Sequence, residues 1–382
     1  MVHAIGLVEA EGAEERRFGE RVASCPVVSE PDVGAWVAIA SPMLADDAGR
    51  PGVVELHRIV RVEGAARVAA LRLEQRLVSS QVFDGFGSSI ALGRFAGTSP
   101  VLAVGCPERA IGADGMPSCG AVATFRRGND GVWRPWGDAS PATPQPGADF
   151  GRSVAFLGAT MLVGAPRADT GKVDAASLGG LRFDVGSLHV FLQQPVVATH
   201  GQGGAAWREV ECIEAPHAQA GARFGSTIAC EGSVVAVASP DFDAIGPDGQ
   251  VLSQAGRVDL FTVHESDRGR LRHVAALCDP KPTRWARFGQ ALAIEGHTLL
   301  VGAPGGEVDG VRCGVVQAFD LRRVEAGDVR HIVRVPPPVD ARGAGSARGR
   351  VETPGRSTQG RPFRIAIITS EANLTRLEEL KA

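Results

Sequence analysis

The chain contains no tyrosine, and phenylalanine and tryptophan together make up only 5% of its 382 residues. Wide aromatic binding platforms are therefore not expected. Charge of one sign is lacking as well. The 40 basic and 43 acidic residues leave a net charge of −3, which argues against the whole body binding nucleic acid. Cysteine is present but unpatterned, at positions 25, 106, 119, 212, 230, 278 and 313. An odd number without a Cys-x-x-Cys pair gives neither a disulfide framework nor zinc spacing, so the cysteines read as small buried hydrophobes. No apolar run approaches the roughly 20 residues that span a bilayer. No basic-then-apolar leader is seen, since Met1-Val2-His3-Ala4 runs straight into a strand pattern. A soluble chain without a membrane span is expected, with its compartment left open. Catalytic signatures are missing too: there is no G-x-S-x-G turn, no H-E-x-x-H helix and no P-loop. A non-enzymatic protein is the expectation.

What the chain has is punctuation, 49 glycines and 24 prolines spread along its length. That pattern suits many short strands separated by turns. The pair Phe-Gly recurs at Phe18-Gly19, Phe86-Gly87, Phe150-Gly151, Phe224-Gly225 and Phe288-Gly289, at spacings of 68, 64, 74 and 64 residues. Each pair is followed by a short run of small apolar residues, a glycine turn (Gly158, Gly232, Gly296) and a second apolar run ending in small-small-Pro. The clearest endings are Val163-Gly164-Ala165-Pro166, Val237-Ala238-Ser239-Pro240 and Val301-Gly302-Ala303-Pro304, with looser ones at Pro42 and Pro107. A third strand opens on glycine, over 52–57, 120–125, 186–191, 256–261 and 314–319, and usually ends on phenylalanine. A fourth segment, such as 207–212 or 272–277, leads to the next Phe-Gly. Four strands of about five residues match one propeller blade, and such sheets bury both faces only by stacking on their neighbours.

These residues resemble the FG-GAP repeat, the blade unit of integrin α-subunit propellers and of many bacterial repeat proteins. The bacterial form, FG-x-S-V-A, turn, L-V-G-A-P, then G-x-V-x-x-F, is matched nearly in full from Phe150 to Pro166. The resemblance covers about residues 1–336 and implies an all-β fold, a β-propeller of four-stranded antiparallel blades. Five blades are recognisable, with a degenerate sixth through Phe363–Ile368 as the alternative. It implies interaction surfaces and no shared chemistry, and by analogy alone an extracellular setting. Integrin-type blades often carry a D-x-D-x-D-G calcium cage between their first two strands. Here that connection is a tight turn such as Leu157-Gly158-Ala159-Thr160, without room or carboxylates for the cage.

Composition changes after Pro336. Residues 337–362, rich in Arg, Gly and Pro, read as a disordered basic linker, and 363–382 as a strand followed by a short helix over 371–380 that could dock onto a partner or its own body. Arg348, Arg350 and Arg356 of this tail read as a solvated tether or as a contact for nucleic acid or an anionic surface. The strand at His3–Glu9 precedes the first repeat and is left over or closes the ring.

The loops after the prolines differ most in length, and those from Pro166 to Gly186 and from Pro240 to Gly256 are longest. Variable loops on a rigid frame are where binding resides. Arg167, Asp169, Lys172 and Asp174 of the one, and Asp241, Asp243 and Asp248 of the other, are the candidate interaction residues. The three aspartates are also the weak candidate for calcium, set against plain solvated turn acids; otherwise no cofactor is expected. His189 and His297 occupy positions that other copies fill with other residue types, and each reads as a surface or satisfied side chain. Trp133, Trp136, Trp207 and Trp285 read as packing between copies or as a sugar or peptide platform. Function is expected to be a non-catalytic protein–protein interaction scaffold. The alternatives are a structural subunit of an assembly anchored by the tail, or a cryptic enzyme with an axial site.

Overall fold

The computed structural model describes residues 21–25, 36–42, 51–61, 69–93, 99–111, 118–169, 183–195, 205–216, 219–263, 270–336, 348–356 and 362–369. Their strands form five four-stranded sheets and three two-stranded ones. The first sheet takes β1 (Arg21–Cys25), β2 (Trp36–Ser41), β3 (Val53–Arg61) and β4 (Ala69–Val78) in chain order. The second takes β5 (Ser89–Gly93), β6 (Val101–Cys106), β7 (Ala121–Arg127) and β8 (Trp133–Ala139), and the third β9 (Ser153–Leu157), β10 (Thr160–Ala165), β11 (Ser187–Pro195) and β12 (Ala205–Glu214). The fourth holds β13 (Thr227–Glu231) and β14 (Val234–Ser239), then a small hairpin of β15 (Ala244–Ile245) and β16 (Val251–Leu252), then β17 (Arg257–Val263) and β18 (Leu271–Leu277). The fifth repeats this with β19 (Ala291–Glu295), β20 (Thr298–Ala303), the hairpin β21 (Glu307–Val308) and β22 (Val311–Arg312), then β23 (Val315–Arg323) and β24 (Asp328–Val335). Neighbouring strands pair antiparallel, so each sequence repeat is one meander. No helix among the described residues is long and apolar enough to cross a membrane.

The Phe-Gly pair explains itself once the sheets are in place. Phe86, Phe150, Phe224 and Phe288 are fully buried just before the first strand of a sheet. Phe86, Phe150 and Phe288 meet the phenylalanine of their own third strand edge to face, at centroid distances of 6.1, 5.9 and 6.0 Å. The glycine that opens each third strand bridges to the phenylalanine of the following repeat: Gly120 to Phe150, Gly186 to Phe224, Gly256 to Phe288. At Gly186, with φ at +88°, a Cβ would stand 2.1 Å from the Phe224 carbonyl oxygen, so no other residue fits. The serine of the motif serves the same joint. Ser89 Oγ donates to the Gly151 carbonyl at 2.7 Å and Ser153 Oγ to that of Gly225 at 2.6 Å. These buried bonds tie each sheet to the next repeat.

The chain divides into two compact units, one of residues 4–228 and 263–271, the other of 1–3, 229–262 and 272–382. In the first unit the opening strands β1, β5 and β9 lie side by side, and apolar side chains fill the spaces between successive sheets. Trp36 meets Trp133 edge-on at 5.6 Å between the first and second sheets. Trp136 meets Trp207 at 5.8 Å between the second and third. Trp133, Trp136 and Trp207 are buried, which answers the question about them: they pack sheets together and offer no platform. Trp285 is 48% exposed. In the second unit one cluster, including Ala238, Val258, Phe288, Val301 and Phe319, fills the space between the fourth and fifth sheets.

Within the stretch read as a linker, 337–362, β25 (Arg348–Arg356) pairs antiparallel with β26 (Pro362–Thr369). The alternating apolar run of β26 exposes a full row of backbone donors and acceptors, and the nearest preceding segment pairs with them. The strand expected over 363–368 is present, but in this two-stranded sheet rather than in a sixth four-stranded one. The cysteines are not uniformly buried either. Cys106 and Cys119 are, whereas Cys212 and Cys278 are exposed on or beside the outermost strands of their sheets. The strand at His3–Glu9, the pair Phe18-Gly19 and the helix at 371–380 lie outside the described residues.

Candidate functional site

The third residue after the opening glycine of each third strand points into the protein, and it is polar in four sheets: Glu55, His189, Asp259 and Gln317, with Ala123 in the second. A buried polar group needs partners, and each finds them close by. Glu55 holds His57 at 2.8 Å and Arg76 at 2.7 Å, and Asp259 holds Arg257 at 2.8 Å and His273 at 2.9 Å. Gln317 donates to Asp279 at 2.8 Å and meets His331 at 2.7 Å. A β-bulge recurs at one place between the third and fourth strands, after Leu56, Thr124, Val190 and Ala318. By adding a residue to the fourth strand it turns that strand's polar side chains onto the third.

The third sheet carries a different set at this place. His189 lies opposite Cys212 in the β11–β12 ladder, Ser187 opposite Glu214, and Glu209 opposite Phe191 just past the bulge. His189 Nδ1 is 2.8 Å from Glu209 Oε1, while its Nε2 is 2.9 Å from Ser187 Oγ and 3.9 Å from Cys212 Sγ. Phe150 meets the ring edge-on at 5.1 Å. Burial pulls the imidazole pKa down, but Cys212 and Glu209 together outweigh it and hold it at about 9, against an ordinary 6.5. Burial likewise pushes the Glu209 carboxyl up. The His189 bond and the Ala142 N–H outweigh that and leave it below its ordinary value.

These side chains line a cavity of about 280 Å³, closed on other sides by Ala142, Gln145, Asp169 and Glu214. A hydroxyl, an imidazole and a carboxylate in line are the elements of an activated serine. The neighbouring N–H of Gly186, however, donates to the Ala168 carbonyl at 2.9 Å and is not turned to hold an oxyanion. The arrangement holds and orders an imidazole beside a hydroxyl and a thiol.

The residues expected to form the site are placed as follows. Asp169 lines the cavity and is pinned by Gln145, which accepts its N–H at 2.8 Å and donates to its carbonyl at 3.1 Å. Arg167 is half-exposed and pairs with Asp184 at 3.6 Å. Lys172 and Asp174 lie outside the described residues. Asp241 pairs with Arg287 at 3.3 Å, Asp243 accepts the Gln254 N–H at 2.8 Å, and Asp248 accepts that of Gln250 at 3.1 Å. The β15–β16 hairpin separates them, with Asp241 and Asp243 at its base and Asp248 in its turn. They do not converge on one point. Among the described residues the one group of three ligand-type side chains within 4.8 Å of one another is His189, Glu209 and Cys212. Arg348, Arg350 and Arg356 lie on β25. Glu209, Cys212 and Ser187 escaped the sequence reading, although His189 stood out there as the odd residue of its repeat position. No known family model matches the chain, and no curated protein matches it.

Proposed function

We propose that the chain is an FG-GAP-type β-propeller serving as a non-catalytic protein–protein interaction scaffold, with recognition carried by the loops after the second strand of each sheet. The observation that carries this reading is the contrast between frame and loops. The joint between repeats recurs in four copies, where a Cβ on the glycine would stand 2.1 Å from the next phenylalanine carbonyl oxygen at Gly52, Gly120 and Gly186 and 2.2 Å at Gly256. The loops that leave the second strands vary in length and in side chains. One passes Asp169 at the cavity rim, another carries the β15–β16 hairpin with Asp241, Asp243 and Asp248. A rigid frame with variable loops is how binding sites are presented on repeat scaffolds. The propeller geometry is supported by the stacking of successive four-stranded meanders with their first strands side by side in the first unit.

The test exchanges both long loops, Pro166 to Gly186 and Pro240 to Gly256, for the short Pro304 to Gly314 version. Affinity purification with mass spectrometry is then compared between the exchanged and the natural chain. Partners that disappear while the melting temperature stays put support loop recognition. Partners retained at full yield remove it, and partners lost only on deleting residues beyond Pro336 favour an assembly subunit held by its tail.

A further inference from the structure

We propose that His189 and Cys212 bind a thiophilic divalent cation of the zinc class, with Glu209 holding the imidazole from behind. The spacing is close to that of two ligands on one zinc. Nitrogen and sulfur ligands on a tetrahedral zinc stand about 3.6 Å apart, given bonds of roughly 2.0–2.1 and 2.3 Å, and Nε2 and Sγ are 3.9 Å apart here. Glu209 sits on Nδ1, at 2.8 Å, which leaves Nε2 as the ligand nitrogen. A carboxylate on the far nitrogen is the partner that orients a metal-bound histidine and raises its basicity.

The frame is stiff. His189 and Cys212 face each other across one ladder of a four-stranded sheet, so ordering the two side chains requires no loop to move. The cavity in front of them brings a further carboxylate, Glu214, and Ser187, and has room for water to complete the shell. The slot differs from sheet to sheet, and in the second Asp138 stands opposite Ala123. Opposite Glu55 in the first sheet stands Arg76, and opposite Gln317 in the fifth stands Arg334, so those ladders supply a cationic side chain. The third sheet puts Cys212 in that slot. Thiolate and imidazole select zinc, cobalt or cadmium over magnesium or calcium, which prefer oxygen. With the metal on Nε2, the Nδ1 proton stays on the Glu209 bond.

The experiment uses the full chain, reduced and stripped with a chelator, and titrates it with Co²⁺ under absorption. A saturable thiolate-to-cobalt charge-transfer band is expected at one equivalent, displaced by Zn²⁺ and untouched by excess Mg²⁺. Cys212→Ser is expected to abolish the band, and Cys278→Ser, at an exposed cysteine of the other unit, to keep it. Glu209→Gln is expected to keep the band while weakening binding about 10–100-fold. Melting curves confirm that each variant is folded, and Cys212 is exposed, so its substitution leaves the core intact. The absence of a saturable band in the natural chain, or a band that survives Cys212→Ser, overturns the proposal. It does not rest on loop recognition, so either reading can fail alone.

Discussion

Cys106 and Cys212 show how one residue type takes opposite roles in a repeated fold. Cys106 ends β6 fully buried, and burial pushes its thiol up to about 12 against an ordinary 9, with the nearby Arg109 guanidinium opposing more weakly. The folded chain therefore keeps a proton that the unfolded chain releases from pH 9 upward. The stability linked to Cys106 is complete below pH 9 and is lost as pH rises towards 12. Denaturation midpoints measured between about pH 8 and 11 should fall, and fall less steeply in Cys106→Ala. Since the thiolate is the nucleophile, a maleimide pulse on the native, metal-free chain should label Cys212 and spare Cys106 and Cys119 until urea unfolds it. Peptide mapping reads this out.

At the scale of the element, the strands are ordinary and the joints between them are special. Gly158 turns β9 into β10 at φ +58° with nothing within 4 Å of a would-be Cβ, whereas Gly186 has φ +88° and the Phe224 carbonyl at 2.1 Å. Gly158→Ala should cost only about 1 kcal/mol, the strain of a left-handed residue. Gly186→Ala adds a clash that must break the bridge to the next repeat, and should cost about 3 kcal/mol or more. Equilibrium urea unfolding separates the two. The tryptophan joints belong to the same scale. Trp207 packs on Trp136 and donates from Nε1 to Thr124 Oγ1 at 3.1 Å, joining the third sheet to the second. Trp207→Ala should lose about 3–5 kcal/mol, far more than truncation of Trp285, which is 48% exposed.

For the molecule as a whole, the apolar clusters of the described residues reach Val329, and the five four-stranded sheets end at Val335. A chain stopped after Pro336 should therefore keep its melting temperature to within about 2 °C. A larger loss would give the β25–β26 hairpin a place in the core. What the sequence by itself determined is the repeat. Phe-Gly, the small-small-Pro ending and the third-strand glycine are each demanded by local sterics at a joint that recurs, so they stand in the chain at readable spacings. The strand β26 was readable too, from its apolar run, but its partner was not, because Arg348–Arg356 carries little strand pattern of its own. The His189 cluster was decided only by tertiary structure. Ser187 and His189 lie about 20 residues from Glu209 and Cys212, and what brings them together is a ladder register with a bulge after Val190. A one-residue slip would turn Cys212 to the other face of the sheet, and side-chain types alone do not specify that register. The acids at 241, 243 and 248 show the converse. Close in the chain, they are held apart by a hairpin that the residue spacing does not reveal.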